Sequence, residues 1–217
     1  KILQEKVKVI ASGRTDSGVH ALAQVANFKT DSPLALKKIQ KALNCLLPAD
    51  ISIKEAWEAD KDFHSRYSAK SKTYRYFILN SEIKSSFLNK HAWHIPYQLN
   101  VRLIRKEAKA LLGKHDFKSF RASGSSAKTT VRTVKKISVK EAVSFQLSAL
   151  SSSAIIIEIE ANGFLYNMVR NIVGTLVEIG RGRFPEGSLK KILLAKNRKQ
   201  AGPTAPAQGL FLLEVKY

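Results

Sequence analysis

The chain has 217 residues, with 37 Lys and Arg against 17 Asp and Glu, for a formal charge of +20. This length allows one large domain or two small ones, and 44% apolar content is ordinary for a globular protein, which argues against wholesale disorder. The charge excess opposes compaction and calls for an anionic counterpart, with a polyphosphate backbone as the leading candidate. A membrane is the weaker alternative, because no apolar run approaches the length of a span; Leu210–Leu213 is typical of the longest. The single cysteine, Cys45, excludes an internal disulfide and a cysteine-based zinc site. With no signal peptide visible, a reducing cytoplasm is the expected compartment.

Val7–Ala11 alternates and predicts a strand, and Ala23–Phe28 a second. Between them Ser12–His20 is a turn-rich loop. Leu36, Ile39, Leu43 and Leu46 recur at helical spacing, so Pro33–Leu47 is predicted as a helix started by Ser32-Pro33. Ile51–Trp57 and Thr73–Leu79 read as strands. Further on, Val101–Leu112 is a helix stopped by Gly113, and Thr133–Val139 and Ala154–Ala161 are strands. Gly163–Ile179 reads as a strongly apolar helix, Ser188–Ala195 as a shorter one and Leu210–Tyr217 as a closing strand. Ser123–Ser126 and Ser151–Ser153 are read as loops. Strands and helices mix without strict alternation, which favours an α+β fold with antiparallel sheets and helices on one face. A boundary is expected near residue 90, giving an N-terminal subdomain over 1–90 and a C-terminal one over 91–217.

The loop Ala11-Ser-Gly-Arg-Thr-Asp-Ser-Gly-Val-His-Ala21 carries the most chemistry. Its glycines allow positive φ and close approach of a ligand to the backbone. Asp16 is the only acid between Lys6 and Thr30, with Lys8, Arg14 and His20 as neighbours. Such a carboxylate is expected to stay ionised, because nearby cations favour the charged form. It is then fit to act as nucleophile or general base. The plainer reading is an Asx-turn, and spacing alone favours that one. The loop matches neither a Walker loop nor a dinucleotide fingerprint.

The segment resembles the active-site signature of the tRNA pseudouridine synthase A family, G-R-T-D-x-G-V-H-A. The resemblance continues in order along the chain. Phe63–Ala69 is similar to F-x-A-R-F-S-A, with Ser65 where Ala is usual, and Lys72–Tyr76 to K-x-Y-x-Y. Asp116-Phe117 with Ser119-Phe120 is similar to H-D-F-x-x-F, and Val131–Thr133 to the R-T motif. Phe164–Arg170 is similar to F-L-x-x-M-V-R, and Ala205–Leu210 to A-P-x-x-G-L. One departure is visible. The family's first strand with Y-D-G, its G-W-Q segment and the helix after it have no counterpart. The first subdomain is therefore expected to lack a strand and a helix.

The resemblance implies isomerisation of uridine to pseudouridine in the tRNA anticodon arm, by a homodimer that needs no cofactor. It implies two ferredoxin-like subdomains with joined sheets and a basic cleft between. Asp16 is then the catalytic carboxylate and Tyr74 the ring that stacks on the extruded base. Arg170, in an apolar helix, either snorkels outward or meets a buried anion; the resemblance favours an ion pair with Asp16. Arg14 is expected in support, against RNA phosphate. For Tyr76, core packing is preferred. Lys and Arg cluster without acids over Phe117–Lys140, again at Arg66, Lys70, Lys72 and Arg75, and again from Arg181 to Lys199 with only Glu186 between. From these, His20, Arg66, Lys70, Lys72, Arg121, Lys128 and Arg132 are read as RNA contacts. His91 and His94 are read as structural or as RNA contacts, and no metal site is expected. Two rival readings stand beside the enzyme: a non-catalytic basic RNA-binding module, and a ribosome-associated structural protein.

Overall fold

The computed structural model describes residues 2–124, 127–143 and 153–217. The expected loops at Ser123–Ser126 and Ser151–Ser153 lie partly outside these residues. The chain is α+β and its contacts divide it into two compact units, one running to Gly13 and from Val25 to Ala69, the other comprising Arg14–Gln24 and Lys70–Tyr217.

In the first unit, β1 (Ile10–Ala11) pairs antiparallel with β3 (Ala26–Asn27). The strands predicted over Val7–Ala11 and Ala23–Phe28 shrink to this two-residue ladder, extended by Ser12 N–H donating to the Val25 carbonyl at 2.7 Å. Ser65 ties the unit together: it is fully buried and its hydroxyl donates to the Ile10 carbonyl at 2.7 Å. Helix α1 spans Leu36–Leu46 and buries Ile39. It starts three residues later than Ser32-Pro33 signalled, because Ala35 is still extended (φ −59°, ψ 142°). Ile51–Trp57 is not a strand. Asn44 and Gln40 of α1 instead bond the backbone of Ile53 and Lys54, so side-chain amides satisfy groups that a neighbouring strand would otherwise pair.

The second unit is a mixed sheet with helices on one face. Its strands are β2 (His20–Ala21), β4 (Ser71–Asn80), β5 (Trp93–Ile95), β6 (Gly113–Asp116), β7 (Val131–Val143), β8 (Ser153–Ala161) and β9 (Leu210–Lys216). Their order is β2-β9-β4-β8-β7-β6, with β5 also pairing β4. The long ladders β9-β4-β8-β7 are antiparallel, whereas β2 joins β9 and β5 joins β4 in parallel. Burial alternates along β8, with Ile155, Ile157 and Ile159 fully buried. That face meets α2 (Val101–Ala108), α3 (Met168–Gly180) and α4 (Ser188–Ala195) in one core with Tyr76, Ile104, Ile172 and Leu176. Close approaches fix α3. A Cβ on Gly180 would lie 2.5 Å from Ile104, and one on Gly174 would lie 1.8 Å from the Pro203 carbonyl oxygen. The predicted helix over Gly163–Ile179 begins only at Met168, because Asn167 adopts a left-handed φ of 58°. Likewise the helix predicted to Leu112 ends at Ala108 and tightens into a 3₁₀ turn over Lys109–Leu111. Among the described residues no helix is long and apolar enough to cross a membrane.

Candidate active site

The site lies within the second unit, where three segments distant in sequence converge. The first is the loop carrying Asp16. Val19 N–H donates to the Asp16 carbonyl at 3.0 Å, closing a tight turn. Gly18 occupies it with φ 81°, where a side chain is strained. The turn feeds β2, whose His20 and Ala21 register with Phe211 and Leu212 of β9; Leu22 N–H then donates to the Leu212 carbonyl at 2.8 Å. A short parallel strand thus moors the loop to the sheet. His20 adds a second mooring. Its ring stacks against both His91 (centroids 4.9 Å apart) and Phe211 (4.6 Å), and Nε2 donates to the Lys90 carbonyl at 2.8 Å.

The second segment is the entry to α3. Arg170 sits in its first turn, where a lone cation opposes the helix dipole. Its Nη1 donates to Asp16 Oδ2 at 2.7 Å and to Asn167 Oδ1 at 3.0 Å, and Nε donates to the Ala205 carbonyl at 2.7 Å. The pair is only partly solvated: the Arg170 side chain is 17% exposed and that of Asp16 29%. The left-handed Asn167 turns its amide oxygen back onto Arg170, so the break that delays the start of the predicted helix also orients the guanidinium. Arg170 therefore neither snorkels outward nor lies unpaired.

The third segment is β4. Its pairing with β9 slips between Thr73 and Tyr74, a bulge of the kind that re-aims a side chain. Tyr74 is half-buried and meets Phe164 edge-on at 5.0 Å. Burial, and then the Asp16 carboxylate, push its phenol up to about 12. Two residues on, Tyr76 is fully buried and donates to the Pro206 carbonyl at 2.7 Å. Burial pushes its phenol upward too, with Arg170 acting in the opposite direction. Gly209 passes so close that a Cβ there would fall 2.6 Å from Tyr76 Cζ. The Ala205–Gly209 stretch thus holds both Arg170 and Tyr76 through main-chain groups.

Asp16, Tyr74 and Arg170 are brought together, whereas the expected RNA contacts are spread out. Arg14 is exposed, two residues before Asp16. Arg66 belongs to the first unit, its guanidinium 5.7 Å from the Tyr67 ring centroid. The Lys70 carbonyl accepts from Lys135 Nζ at 3.2 Å, and Lys72 is half-buried in β4. Lys128 is exposed. Arg132 is half-buried, its Nη1 donating to the Thr129 and Val131 carbonyls, and burial pushes its pKa down. Arg121 lines a separate basic cavity. His94 Nε2 bonds the Ser81 carbonyl at 2.8 Å. Among the described residues no group of three His, Cys, Asp or Glu could hold a metal ion. Sequence reasoning missed Asn167, Phe164 and the Ala205 carbonyl. The A-P-x-x-G-L motif pointed to the last, but a carbonyl carries no residue-type signal.

A carboxylate is thus clamped by a guanidinium near a half-buried phenol, on a basic α+β scaffold. The family model described as tRNA pseudouridine synthase matches residues 1–68 and 108–217. A protein named tRNA pseudouridine synthase A from Thermoanaerobacter sp. (strain X514) is 47% identical over 217 residues, all of this chain and 85% of the relative. Its namesake from Acetivibrio thermocellus is 47% identical over 213 residues, covering 98% of this chain and 84% of the relative. One from Bacillus licheniformis is 43% identical over 216 residues, covering 99% and 83%. The chain belongs to the tRNA pseudouridine synthase family. Asp16 and Arg170 fall in the matched segments, and Tyr74 falls between them, within the stretch aligned to these relatives.

Proposed function

We propose that the chain isomerises uridine to pseudouridine in the anticodon arm of tRNA. It does so as a cytoplasmic homodimer built from two ferredoxin-like subdomains. The observation that carries the reading is the Asp16–Arg170 ion pair beside the Tyr74 phenol, in a member of this family.

In the reaction the target uracil leaves the stack and its N1–C1′ bond breaks. The freed base rotates and C5 bonds C1′. The C5 proton departs to solvent and N1 takes one up, so the product is an isomer and nothing is oxidised or reduced. Arg170 engages Asp16 Oδ2, which leaves Oδ1 to work on the sugar. Asp16 acts either as nucleophile at C1′ or as the base that takes the C2′ proton. Arg170 fixes the carboxylate and balances its charge in a site from which a bound RNA excludes water. The Tyr74 ring supports the extruded base, and its phenol stays protonated at neutral pH. The basic side chains, Arg14 included, hold phosphates and position the RNA.

Tritium release from tRNA transcripts labelled at uridine C5 tests the proposal. Release by the wild-type chain supports it. Salt-sensitive tRNA binding with no release from any transcript would favour a non-catalytic RNA-binding module instead.

A further inference from the structure

A second basic feature stands apart from Asp16. A cavity of about 230 Å³ is lined by Lys118, Arg121, Lys196 and Arg198, with Asn197, Ala122 and Ser123. Four cations therefore meet one neighbouring carboxylate, Asp116, which accepts from Lys118 N–H at 3.1 Å and pairs with Lys196 Nζ at 3.4 Å. Burial pushes the Asp116 carboxyl up, but bonds from Thr130, the Lys118 amide and Lys196 outweigh it and hold the group below its ordinary value. It remains charged and offsets only one cation.

Arg198 is bonded entirely to neutral acceptors: the Ala201 and Gly202 carbonyls, Asn171 Oδ1 and Thr204 Oγ1. Its charge is thus fixed in place, with no carboxylate partner among the described residues. Burial pushes its pKa down, the mark of a cation removed from water without an anion beside it. The Arg121 guanidinium and Lys118 Nζ have no hydrogen-bond or ion-pair partner among the described residues. Fixed and unengaged cations together in a concave site form an anion receptor, and the planar guanidinium fork suits a phosphate in particular.

The cavity wall is tied to the catalytic scaffold. Ala122 N–H donates to the Tyr166 carbonyl at 3.1 Å, and Asn171 Nδ2 to the Phe120 carbonyl at 2.8 Å. Both bonds end on the stretch that carries Asn167 and Arg170. A phosphate held here is therefore in register with the clamp on Asp16. We propose that this cavity seats a backbone phosphodiester of the bound tRNA, away from the uridine that reacts, with Arg121 and Lys118 as its principal contacts. The inference rests on the synthase reading above.

Arg121→Gln and Lys118→Gln test it in the full chain. Each is expected to shallow the plot of log tRNA affinity against log salt, by about 0.7–0.9 for each phosphate no longer neutralised. Arg121→Gln is also expected to raise KM for tRNA about tenfold, as removal of a charge-assisted hydrogen bond does. The value of kcat stays within about twofold, since binding made equally in ground and transition states is what is removed. Arg121→Lys restores the slope and part of KM. Thermal midpoints monitor folding; Lys118 is exposed, so its variant carries the test if Arg121→Gln is unstable. Unchanged slope and KM in both variants would overturn the proposal. So would inorganic phosphate binding that Arg121→Gln abolishes while tRNA binding stays intact, which marks a small-anion site. Absence of turnover in the wild type would count against the synthase reading instead, because the slope is read from binding alone.

Discussion

Arg170→Lys probes how much of the site depends on guanidinium geometry rather than charge. The native side chain spans three acceptors at once: Asp16 Oδ2 and Ala205 O at 2.7 Å each, and Asn167 Oδ1 at 3.0 Å. A lysine ammonium is a point donor on a flexible stem, and cannot serve a carboxylate and a carbonyl that address different nitrogens of a planar group. Keeping the charge avoids the ~3–5 kcal/mol penalty of stranding one partner of a buried pair. What is lost is one or two hydrogen bonds at about 1 kcal/mol each. Stability should fall by about 1–2 kcal/mol, a drop in Tm of roughly 2–8 °C for a chain of this size. Turnover should suffer more, because a carboxylate displaced by about 1 Å costs on the order of 10²-fold. Calorimetry with single-turnover tritium release reads both, and tRNA affinity should stay within about twofold. A lysine variant with wild-type kcat and Tm would refute the positioning role.

Alkaline unfolding tests the Tyr74 environment. Its phenol titrates near 12 in the fold against an ordinary 10, so the folded state holds the proton more tightly. The stabilisation is whole below pH 10 and is lost as pH rises toward 12, by at most ~2–3 kcal/mol. Tyr74→Phe should therefore lose less Tm than the wild type between pH 10 and 12, and an identical decline would contradict the assignment. Gly18→Ala puts a side chain at φ 81°, with its Cβ 3.4 Å from that of Ala207. It should cost about 1–2 kcal/mol and at least tenfold in kcat, and a fully active, equally stable variant would count against the tight turn. Gly174→Ala drives a Cβ to 1.8 Å from a carbonyl oxygen and should leave little folded protein, whereas Gly182→Ala meets open space at φ 80° and should cost only ~1 kcal/mol. Circular dichroism of the two proteins separates packing from backbone strain.

The strands legible in the sequence are long ones laddered to at least one other long strand. The strands expected at Thr73–Leu79, Thr133–Val139 and Ala154–Ala161 became β4, β7 and β8, because each lies against a helix-covered face that demands alternation. Helix α4 was legible to the residue. By contrast β2, β5 and β6 have two to four residues each, and exist because β9, β4 and β7 offer an edge; so short a segment carries no period of its own. Ile51–Trp57 shows the converse, an alternating run that finds a helix's amides rather than a strand. In the site, the signature loop singled out Asp16, and an Arg in an apolar helix signalled a buried partner. The details that make the clamp work were illegible. Phe164–Asn167 is apolar enough to read as helix, yet Asn167 turns left-handed, and the acceptor for Arg170 Nε is a main-chain oxygen.

Asp16→Asn decides whether Asp16 performs chemistry or only shapes a turn. Asp16→Asn is nearly isosteric and keeps an oxygen that can accept from Arg170 Nη1, while removing the charge that makes the group a nucleophile or base. Tritium release from C5-labelled tRNA, measured alongside tRNA affinity on the same preparation, separates the two roles. Release should fall to background with affinity within about threefold of wild type, a gap of less than ~1 kcal/mol in binding. Release at the wild-type rate from a folded Asp16→Asn chain would contradict it.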